Sequence, residues 1–222
     1  MDGYGWGLAK GKGVLFVLTG KIQIGKTRWI ERLIRDLDDA GVPAYGVVAP
    51  GMWRGLRAGA SPQDGSGALE KVGIDNVLLP ERQRVTFALR RDVAVRCGAL
   101  DPQSQAERAG LGWSIDDGAL ARVNAHFSRL SLRPPTVPGL LVVDELGRLE
   151  LEREEGLVEA VRLLDSGATA SFPHALVVVR EDLLPRALSR LDAGAWGGVR
   201  VVGPDRSGLS RDLRLSFGAR EG

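Results

Sequence analysis

One octapeptide near the amino terminus constrains this chain more than any other feature. Residues 20–27 are Gly-Lys-Ile-Gln-Ile-Gly-Lys-Thr, which fits the pattern G-x-x-x-x-G-K-[ST]. The preceding apolar run, Val14–Thr19, is too short for a helix and predicts a strand buried on both faces of a parallel sheet. From Lys26 to Ala40 the apolar residues recur at helical spacing. A strand, a glycine-rich turn and a helix in this order predict a phosphate-binding loop, or P loop.

The residue types of the octapeptide suit polyphosphate binding. Gly20 and Gly25 let the backbone fold tightly, so that amide groups converge on phosphate oxygens, and the start of the helix adds its positive end. We expect Lys26 to bridge the β- and γ-phosphates and the Thr27 hydroxyl to bind Mg²⁺. The alternative, a glycine-rich turn without a ligand, is disfavoured by the flanking strand and helix. The predicted nucleotide-binding residues are Gly20, Lys21, Ile22, Gln23, Ile24, Gly25, Lys26 and Thr27.

Two adjacent carboxylates follow a later apolar run. Asp144 and Glu145 come directly after Leu140–Val143, which predicts another buried strand. A P-loop enzyme needs one acid to hold Mg²⁺ and, for hydrolysis, a second to orient and deprotonate water. We predict that Asp144 binds the metal and that Glu145 is the base. An acidic junction between strand and loop with no catalytic role is the alternative, and the P loop upstream disfavours it.

Charged residues near these acids are further candidates. Arg180 follows a predicted strand, where it either contacts the γ-phosphate as part of the nucleotide site or is simply solvated. Arg148 either supplies positive charge to the transition state, as a catalytic residue, or begins an exposed helix. Glu150 is either a partner of Arg148 or Lys26, or a surface acid.

A guanine-specific switch is disfavoured by one missing element. Residues 144–147, Asp-Glu-Leu-Gly, satisfy the D-x-x-G pattern of GTPases, which also carry N-K-x-D after a later strand. The corresponding residues here, 179–182, are Val-Arg-Glu-Asp, with neither the asparagine nor the lysine. Three tryptophans are candidates for stacking on a base, although packing is the preferred interpretation of each: Trp53, Trp113 and Trp196.

Composition bounds the possible partners. Hydrophobic residues make up 44% and charged residues 26% of the 222 residues, as in a folded globular protein. The net charge of +2 gives no strong case for binding nucleic acid or an anionic membrane. The single cysteine excludes an intramolecular disulfide framework, and the apolar runs are too short to span a membrane. We expect a cytoplasmic monomer, with a protein partner left open.

Strands and helices alternate along the chain, which predicts an α/β fold with a mostly parallel sheet flanked by helices. We expect one domain over residues 1–222, with an antiparallel hairpin and loops inserted near residues 50–112. A leader at 1–12 and a tail at 207–222 are predicted to be weakly structured. The other predicted strands and helices include strands Lys71–Leu79 and Arg84–Arg90 and helices Ile115–Leu130 and Glu154–Leu164.

Beyond these patterns, the chain resembles the P-loop nucleoside-triphosphatase family that includes thermophile enzymes and the human cancer-related nucleoside-triphosphatase. The P loop and the segment DELGRLEL at residues 144–151 carry the resemblance; the segment matches the family signature D-E-[IL]-G-[KR]-[ML]-E-[LM]. The resemblance implies a RecA-like or kinase-like core with an inserted hairpin. It also implies slow, base-tolerant hydrolysis of ATP, GTP or another nucleoside triphosphate with Mg²⁺. Residues 50–54 and Arg180–Glu181 depart from the family, which favours a divergent subgroup with a narrower substrate or partner.

Two other functions remain open from the sequence. One is a P-loop kinase that phosphorylates a small-molecule acceptor, with Arg186–Arg190 as a candidate arginine-rich lid. The other is a nucleotide-gated binding protein that hydrolyses slowly and acts through a partner. Hydrolysis of a nucleoside triphosphate to the diphosphate and phosphate is the leading hypothesis.

Overall fold

The computed structural model describes residues 13–55, 69–204 and 208–218. The predicted leader at 1–12 lies outside the described residues, as do residues 56–68 of the insertion and residues 205–207 and 219–222. Nine strands are present in the described part: β1 Val14–Leu18, β2 Ala44–Val48, β3 Gly51–Gly55, β4 Leu69–Leu79, β5 Gln83–Arg90, β6 Trp113–Ile115, β7 Leu140–Leu146, β8 His174–Val179 and β9 Val199–Val202.

The same residues contain eight α-helices and a 3₁₀ turn at Glu181–Leu183. The helices are α1 Lys26–Asp39, α2 Arg91–Arg96, α3 Gln105–Arg108, α4 Asp117–Leu132, α5 Arg148–Glu152, α6 Val158–Asp165, α7 Leu184–Arg190 and α8 Leu209–Ser216. None of the helices in the described ranges is long and apolar enough to cross a membrane.

The strands form one mixed sheet in the order β6-β5-β4-β2-β7-β8-β1-β9, and β3 pairs with β4. Strands β2, β7, β8, β1 and β9 pair in parallel. The remaining pairings, β2 with β4 and those of β3 to β6, are antiparallel. The parallel half therefore carries the P loop and the acidic motif, and the antiparallel half extends the sheet beyond β2.

Two apolar clusters cover the two faces of the sheet. On one face, Ile30, Leu33 and Leu37 of α1 pack with Phe16 and Leu18 of the first strand. On the other face α4, α6 and α7 pack against alternate residues of the same strands. Because both faces are covered, β1, β2 and β8 are buried along their whole length, as their continuous apolar runs predict.

Several helix and strand boundaries differ from the sequence prediction. The helix predicted over Glu154–Leu164 begins only at Val158, because Glu154 (φ 56°) and Gly156 (φ 76°) adopt left-handed conformations that a helix cannot include. The helix predicted from Ile115 begins at Asp117, since the Asp116 side chain caps it by accepting a hydrogen bond from the Ala119 amide. The preceding residues instead form the short edge strand β6.

The tail predicted at 207–222 to be weakly structured contains a helix. Leu209 and Leu213 are four residues apart, so they share one face of α8. Both are buried against the α1 side of the sheet, with Phe217 packed beside them. Burial of this short apolar stripe stabilises a segment whose sequence signal is weak.

Candidate active site

The P loop connects the carboxyl end of β1 to the amino end of α1. Gly20 (φ 145°) and Gly25 (φ 95°) both have left-handed backbone conformations, and Gly25 immediately precedes the helix. A Cβ atom added to Gly25 would meet nothing within 4 Å, so its conformation rather than space requires glycine there. No acid lies in the first turn of α1, which leaves its positive end unopposed by its own side chains. The loop is therefore built to receive an anion.

Lys26 spans this loop. Its Nζ donates hydrogen bonds to the backbone oxygens of Gly20 at 2.8 Å and Lys21 at 2.9 Å. Burial lowers the pKa of Lys26, while the charge of Glu145 acts in the opposite direction. The ammonium is thus held over the phosphate-binding backbone, in reach of the acids of the next strands. Ile22 and Ile24 of the loop point outward and are 73% and 52% exposed.

Strand β8 separates the P-loop strand β1 from the acidic strand β7. Neighbouring strands are about 4.8 Å apart, so β1 and β7 are about 10 Å apart at their carboxyl ends. This spacing leaves room for a phosphate and a water molecule between Lys26 and the acids. The candidate site therefore lies at the carboxyl ends of three neighbouring strands, β7, β8 and β1.

A β-bulge at the end of β7 directs the two carboxylates. Val143 pairs with Val177 and Leu146 with Val179, so two residues of β7 face one residue of β8. Glu145 within the bulge has φ 143°, a strained conformation for a residue with a side chain. In a regular strand the two acids would point to opposite faces. Because of the bulge, both line one cavity at the sheet edge.

Asp144 is buried at the base of the site. Its Oδ2 accepts a hydrogen bond of 2.9 Å from the Ala49 amide at the end of β2. Burial raises the pKa of Asp144 to about 6, and hydrogen bonds from the Ala49 amide and the Thr27 hydroxyl act in the opposite direction. None of the ion pairs found among residues 13–55, 69–204 and 208–218 involves Asp144. A buried carboxylate beside a hydroxyl fits a hard cation that takes oxygen ligands.

No group of three or more histidine, cysteine, aspartate and glutamate side chains that could hold a metal ion occurs among the described residues. Mg²⁺ keeps several water ligands and is bound through one or two protein oxygens together with substrate phosphates, so a site for it need not contain such a group. Thr27 and Asp144 are the two residues that the sequence predicts as its ligands, and the Thr27 hydroxyl is hydrogen-bonded to the Asp144 carboxylate.

Glu145 is half-buried and is paired with Arg180. The Arg180 Nε lies 2.5 Å from Glu145 Oε1, and Arg180 follows the last residue of β8 directly. Since β8 is the strand next to the P loop, this arginine stands between the loop and the second acid. The structure thus brings together Lys26, Thr27, Asp144, Glu145 and Arg180, all five of which the sequence prediction named.

Lys71 on β4 is a site residue that the sequence prediction missed. Its ammonium lies 5.4 Å from the centre of the Trp113 ring. Burial lowers the pKa of Lys71, the charges of Glu145 and Asp144 raise it, and Arg180 acts with burial. The charge of this lysine from the antiparallel half therefore interacts with the charges of Glu145, Asp144 and Arg180. Its only signal in the sequence was that lysine occurs five times in this chain, against 25 arginines.

Glu150 has neither of the roles that the sequence suggested. It is 8% exposed, and its Oε2 accepts from the Gly147 amide while its Oε1 accepts from the Leu157 amide, both at 2.8 Å. Burial raises the pKa of Glu150. Glu150 therefore closes the turn after the bulge and fixes the start of α5, where Arg148 is exposed and lines the cavity.

Two openings lie beside the candidate site. An open cleft of about 540 Å³ lies beside the P loop and is lined by Thr19, Gly20, Ile24, Gly25, Arg28, Arg32, Gly203 and Pro204. A cavity of about 330 Å³ lies on the side of the acids and of the antiparallel strands. Trp113 lines this cavity, Trp53 is 40% exposed on β3, and Trp196 is buried with its Nε1 donating to the Leu164 carbonyl. Packing is therefore confirmed for Trp196.

The arginines considered as a lid are tied elsewhere. Arg186 lies 3.1 Å from Glu152, and Arg190 makes two hydrogen bonds of 2.8 Å to Asp165. Both contacts hold α7 against neighbouring helices. The described structure therefore gives no support for Arg186–Arg190 as a nucleotide lid.

Comparisons with known proteins agree with this architecture. No protein-family model matches the chain, and no curated protein shows significant sequence similarity to it. Among solved structures, the chain is similar to the solution structure of a human cancer-related nucleoside triphosphatase, with a TM-score of 0.52. The two chains are 20% identical over 91% of this chain and 93% of the human one. The likeness confirms the predicted P-loop α/β fold and agrees with the resemblance drawn from the sequence.

Proposed function

We propose that this protein is a Mg²⁺-dependent nucleoside-triphosphate phosphohydrolase. One observation carries the proposal: Lys26 of the P loop, the Asp144–Glu145 bulge and Arg180 converge on one edge of the sheet, with one strand between the loop and the acids. The human protein of similar fold is described as a nucleoside triphosphatase, which supports hydrolysis as the reaction.

The triphosphate would be bound mainly by the backbone. Amide groups of the P loop and the amino end of α1 would surround the β-phosphate, and Lys26 would exchange its bonds to the loop carbonyls for bonds to the β- and γ-phosphates. The nucleoside would lie in the open cleft beside the loop, between α1 and Gly203–Pro204.

Thr27 and Asp144 would hold Mg²⁺, each through one oxygen atom. The ion would neutralise charge on the β- and γ-phosphate oxygens when bound. Binding of the triphosphate with its cation would also offset the cost of keeping the Asp144 carboxylate ionised in a buried position. Asp144 is in turn positioned by the Ala49 amide.

Glu145 would orient and deprotonate the attacking water. The contact with Arg180 positions the carboxylate, which lines the cavity and acts through its charge on Lys26. Arg180, Lys71 and the exposed Arg148 would supply positive charge around the transferred phosphoryl group. Arg180 is paired with Glu145 in the structure. The Arg180 side chain would therefore have to leave Glu145 and contact the γ-phosphate before the reaction, which supports slow turnover.

The experiment is a nucleotide-binding panel with and without Mg²⁺, on the wild type and the Lys26→Ala and Arg35→Ala variants. Loss of two charge-assisted contacts predicts an affinity for ATP about 100-fold lower for Lys26→Ala. Arg35→Ala removes an equal charge from an exposed side chain of α1 that does not line the cleft and should bind nearly as the wild type does. Equal binding by all three proteins would contradict the proposed site.

A further inference from the structure

The cavity beside the acids has the make-up of a small-molecule site. Its volume of about 330 Å³ lies within the usual range for ligand pockets. None of residues 19–28 lines it, so it is separate from the cleft that the P loop shares. Its apolar walls come from β4, β5, β6, α4 and α5, including Ile74, Phe87, Trp113 and Leu149. Its charged lining residues are four acids and two arginines: Asp144, Glu145, Glu150, Asp182, Arg148 and Arg180.

Asn76 is a polar group in the wall of this cavity. The residue lies on β4, is 2% exposed and lines the cavity. Its side-chain amide can both donate and accept a hydrogen bond, which suits a ligand with a matching acceptor and donor.

The chemistry of the walls narrows the ligand class. An asparagine amide offers one donor and one acceptor side by side, which suits the edge of a heteroaromatic ring such as a nucleobase. Phe87 and Trp113 supply aromatic surface, on which such rings stack. Arg148 and the Lys71 ammonium beside Trp113 supply positive charge for a hydroxyl or phosphate arm.

We propose that this cavity binds a phosphoryl acceptor with a nucleobase-like ring and a hydroxyl or phosphate arm, which takes the place of the attacking water at Glu145. The inference rests on the proposed function, because the donor is the triphosphate held by the P loop. An acceptor oxygen forms a bond to the γ-phosphorus, and the bond from that phosphorus to the bridging oxygen breaks. Its electron pair stays on the diphosphate, and a hydroxyl proton, where present, passes to the Glu145 carboxylate.

The test uses ATP labelled at the γ-phosphate, with nucleosides in one arm and nucleoside monophosphates in the other. The wild type should place label in the accepted probe as well as in inorganic phosphate. Labelled nucleosides would identify a hydroxyl as the accepting group, and labelled nucleoside diphosphates formed from the monophosphates would identify a phosphate. Binding of the same probes is measured by calorimetry in the presence of ADP and Mg²⁺. The full chain is used throughout.

Two variants report on the cavity itself. A Cβ atom at Gly112 meets nothing within 4 Å and Gly112 lines the cavity, so Gly112→Leu fills the space without a backbone clash. It should lower the ratio of transfer to hydrolysis at least about 10-fold. Gly55→Leu, at a glycine with equally free surroundings outside the cavity, is the matched control and should keep the wild-type ratio. Asn76→Leu should weaken probe binding about 10-fold or more and serves if Gly112→Leu fails to fold.

The outcomes separate the two proposals. If every probe leaves all label in inorganic phosphate and none binds at concentrations up to about 1 mM, the acceptor site is wrong while hydrolysis stands. Transfer that persists unchanged in Gly112→Leu and Asn76→Leu would also overturn it. If the wild type cleaves no γ-phosphate at all, the proposed function is wrong as well.

Discussion

The P loop and the cavity beside Asp144 and Glu145, proposed above as an acceptor site, differ in how far apart their residues lie in the sequence. The P loop is one continuous segment of eight residues, and its backbone amides would make most of the proposed contacts to phosphate. The cavity draws its lining from residues between Ala49 and Leu183, on strands that pair only after the chain has folded. A contiguous site can be recognised in a sequence, whereas an assembled site depends on strand register. Glu145 links the two kinds of site, because it ends a strand that the sequence predicts and its side chain lines the cavity.

Arginine and lysine occur in different settings in this structure. Every ion pair in the described part of the chain has arginine as its cation. The three lysines of the described ranges, Lys21, Lys26 and Lys71, make none of them. Arginine suits paired carboxylates through its planar fork, while a compact ammonium on a flexible stem suits phosphate. The position of Lys71 beside the acids extends this division to the antiparallel half.

The largest expected effect comes from Asp144, which anchors the P-loop side. Asp144→Asn removes the predicted metal ligand and should lower turnover about 100-fold or more. The same change should stabilise the protein in the absence of Mg²⁺, because a buried unpaired charge is replaced by a neutral amide that still accepts from the Ala49 amide. Chemical unfolding in EDTA measures the second effect; a destabilised variant would contradict the account.

The stability gain of Asp144→Asn should depend on pH. The pKa of Asp144 is about 6 in the folded chain against 3.8 for the free side chain, so the wild type is penalised as pH rises through this interval. Below about pH 4 both states hold the proton and the variant should gain nothing. Above about pH 6 the gain should reach about 1–3 kcal/mol. Equal gains at pH 4 and pH 8 would exclude ionisation as the cause.

Lys71 tests whether the antiparallel half takes part in the reaction. Lys71→Ala should lower kcat about 10-fold, equivalent to about 1.4 kcal/mol of transition-state stabilisation, with little change in nucleotide affinity. Lys71→Arg should restore part of the rate because it keeps the charge. If kcat is unchanged in both variants, the cation over Trp113 serves packing alone and the catalytic contribution stays with the parallel half.

A further prediction concerns stability rather than turnover, at the turn that follows the bulge. A Cβ atom at Gly156 (φ 76°) would lie 2.1 Å from Glu150 Oε1, so Gly156→Ala should disturb the carboxylate that holds the Gly147 and Leu157 amides. We expect a loss of about 1–3 kcal/mol in the free energy of unfolding, measured with urea. Gly55→Ala, at a glycine with free surroundings and without a left-handed conformation, is the control and should change stability little.

Local patterns predicted the parallel half of this fold well. Continuous apolar runs identified β1 and the start of β7, and helical spacing identified α1 to within one residue. The octapeptide and the Asp144–Glu145 pair identified the site, since phosphate chemistry dictates these residue types in sequence order. The structure brings Lys26, Thr27, Asp144 and Glu145 to the carboxyl ends of neighbouring strands.

The antiparallel half was predicted only in part. Strands β4 and β5 were expected as the hairpin Lys71–Leu79 and Arg84–Arg90, but β6 and the residues that this half brings near the acids were not expected. Strand β6 has three residues and gains its partners from β5, so nothing local marks it as a strand. Lys71 and Asn76 meet the acids only because β4 pairs with β2, which brings residues some 70 positions apart to one edge. Glu150 was misplaced because an acid that accepts two amides in a buried turn looks, in sequence, like an acid on the surface.

The central claim is that the P loop binds a triphosphate and that Glu145 activates the nucleophile. The most direct test is to measure ATP binding and phosphate release side by side for Glu145→Gln. We predict wild-type affinity with turnover lowered about 10²–10⁴-fold. Glu181→Gln, which removes the same charge from an exposed neighbour, should turn over close to the wild-type rate. A Glu145→Gln protein that binds and hydrolyses ATP as the wild type does would contradict the account.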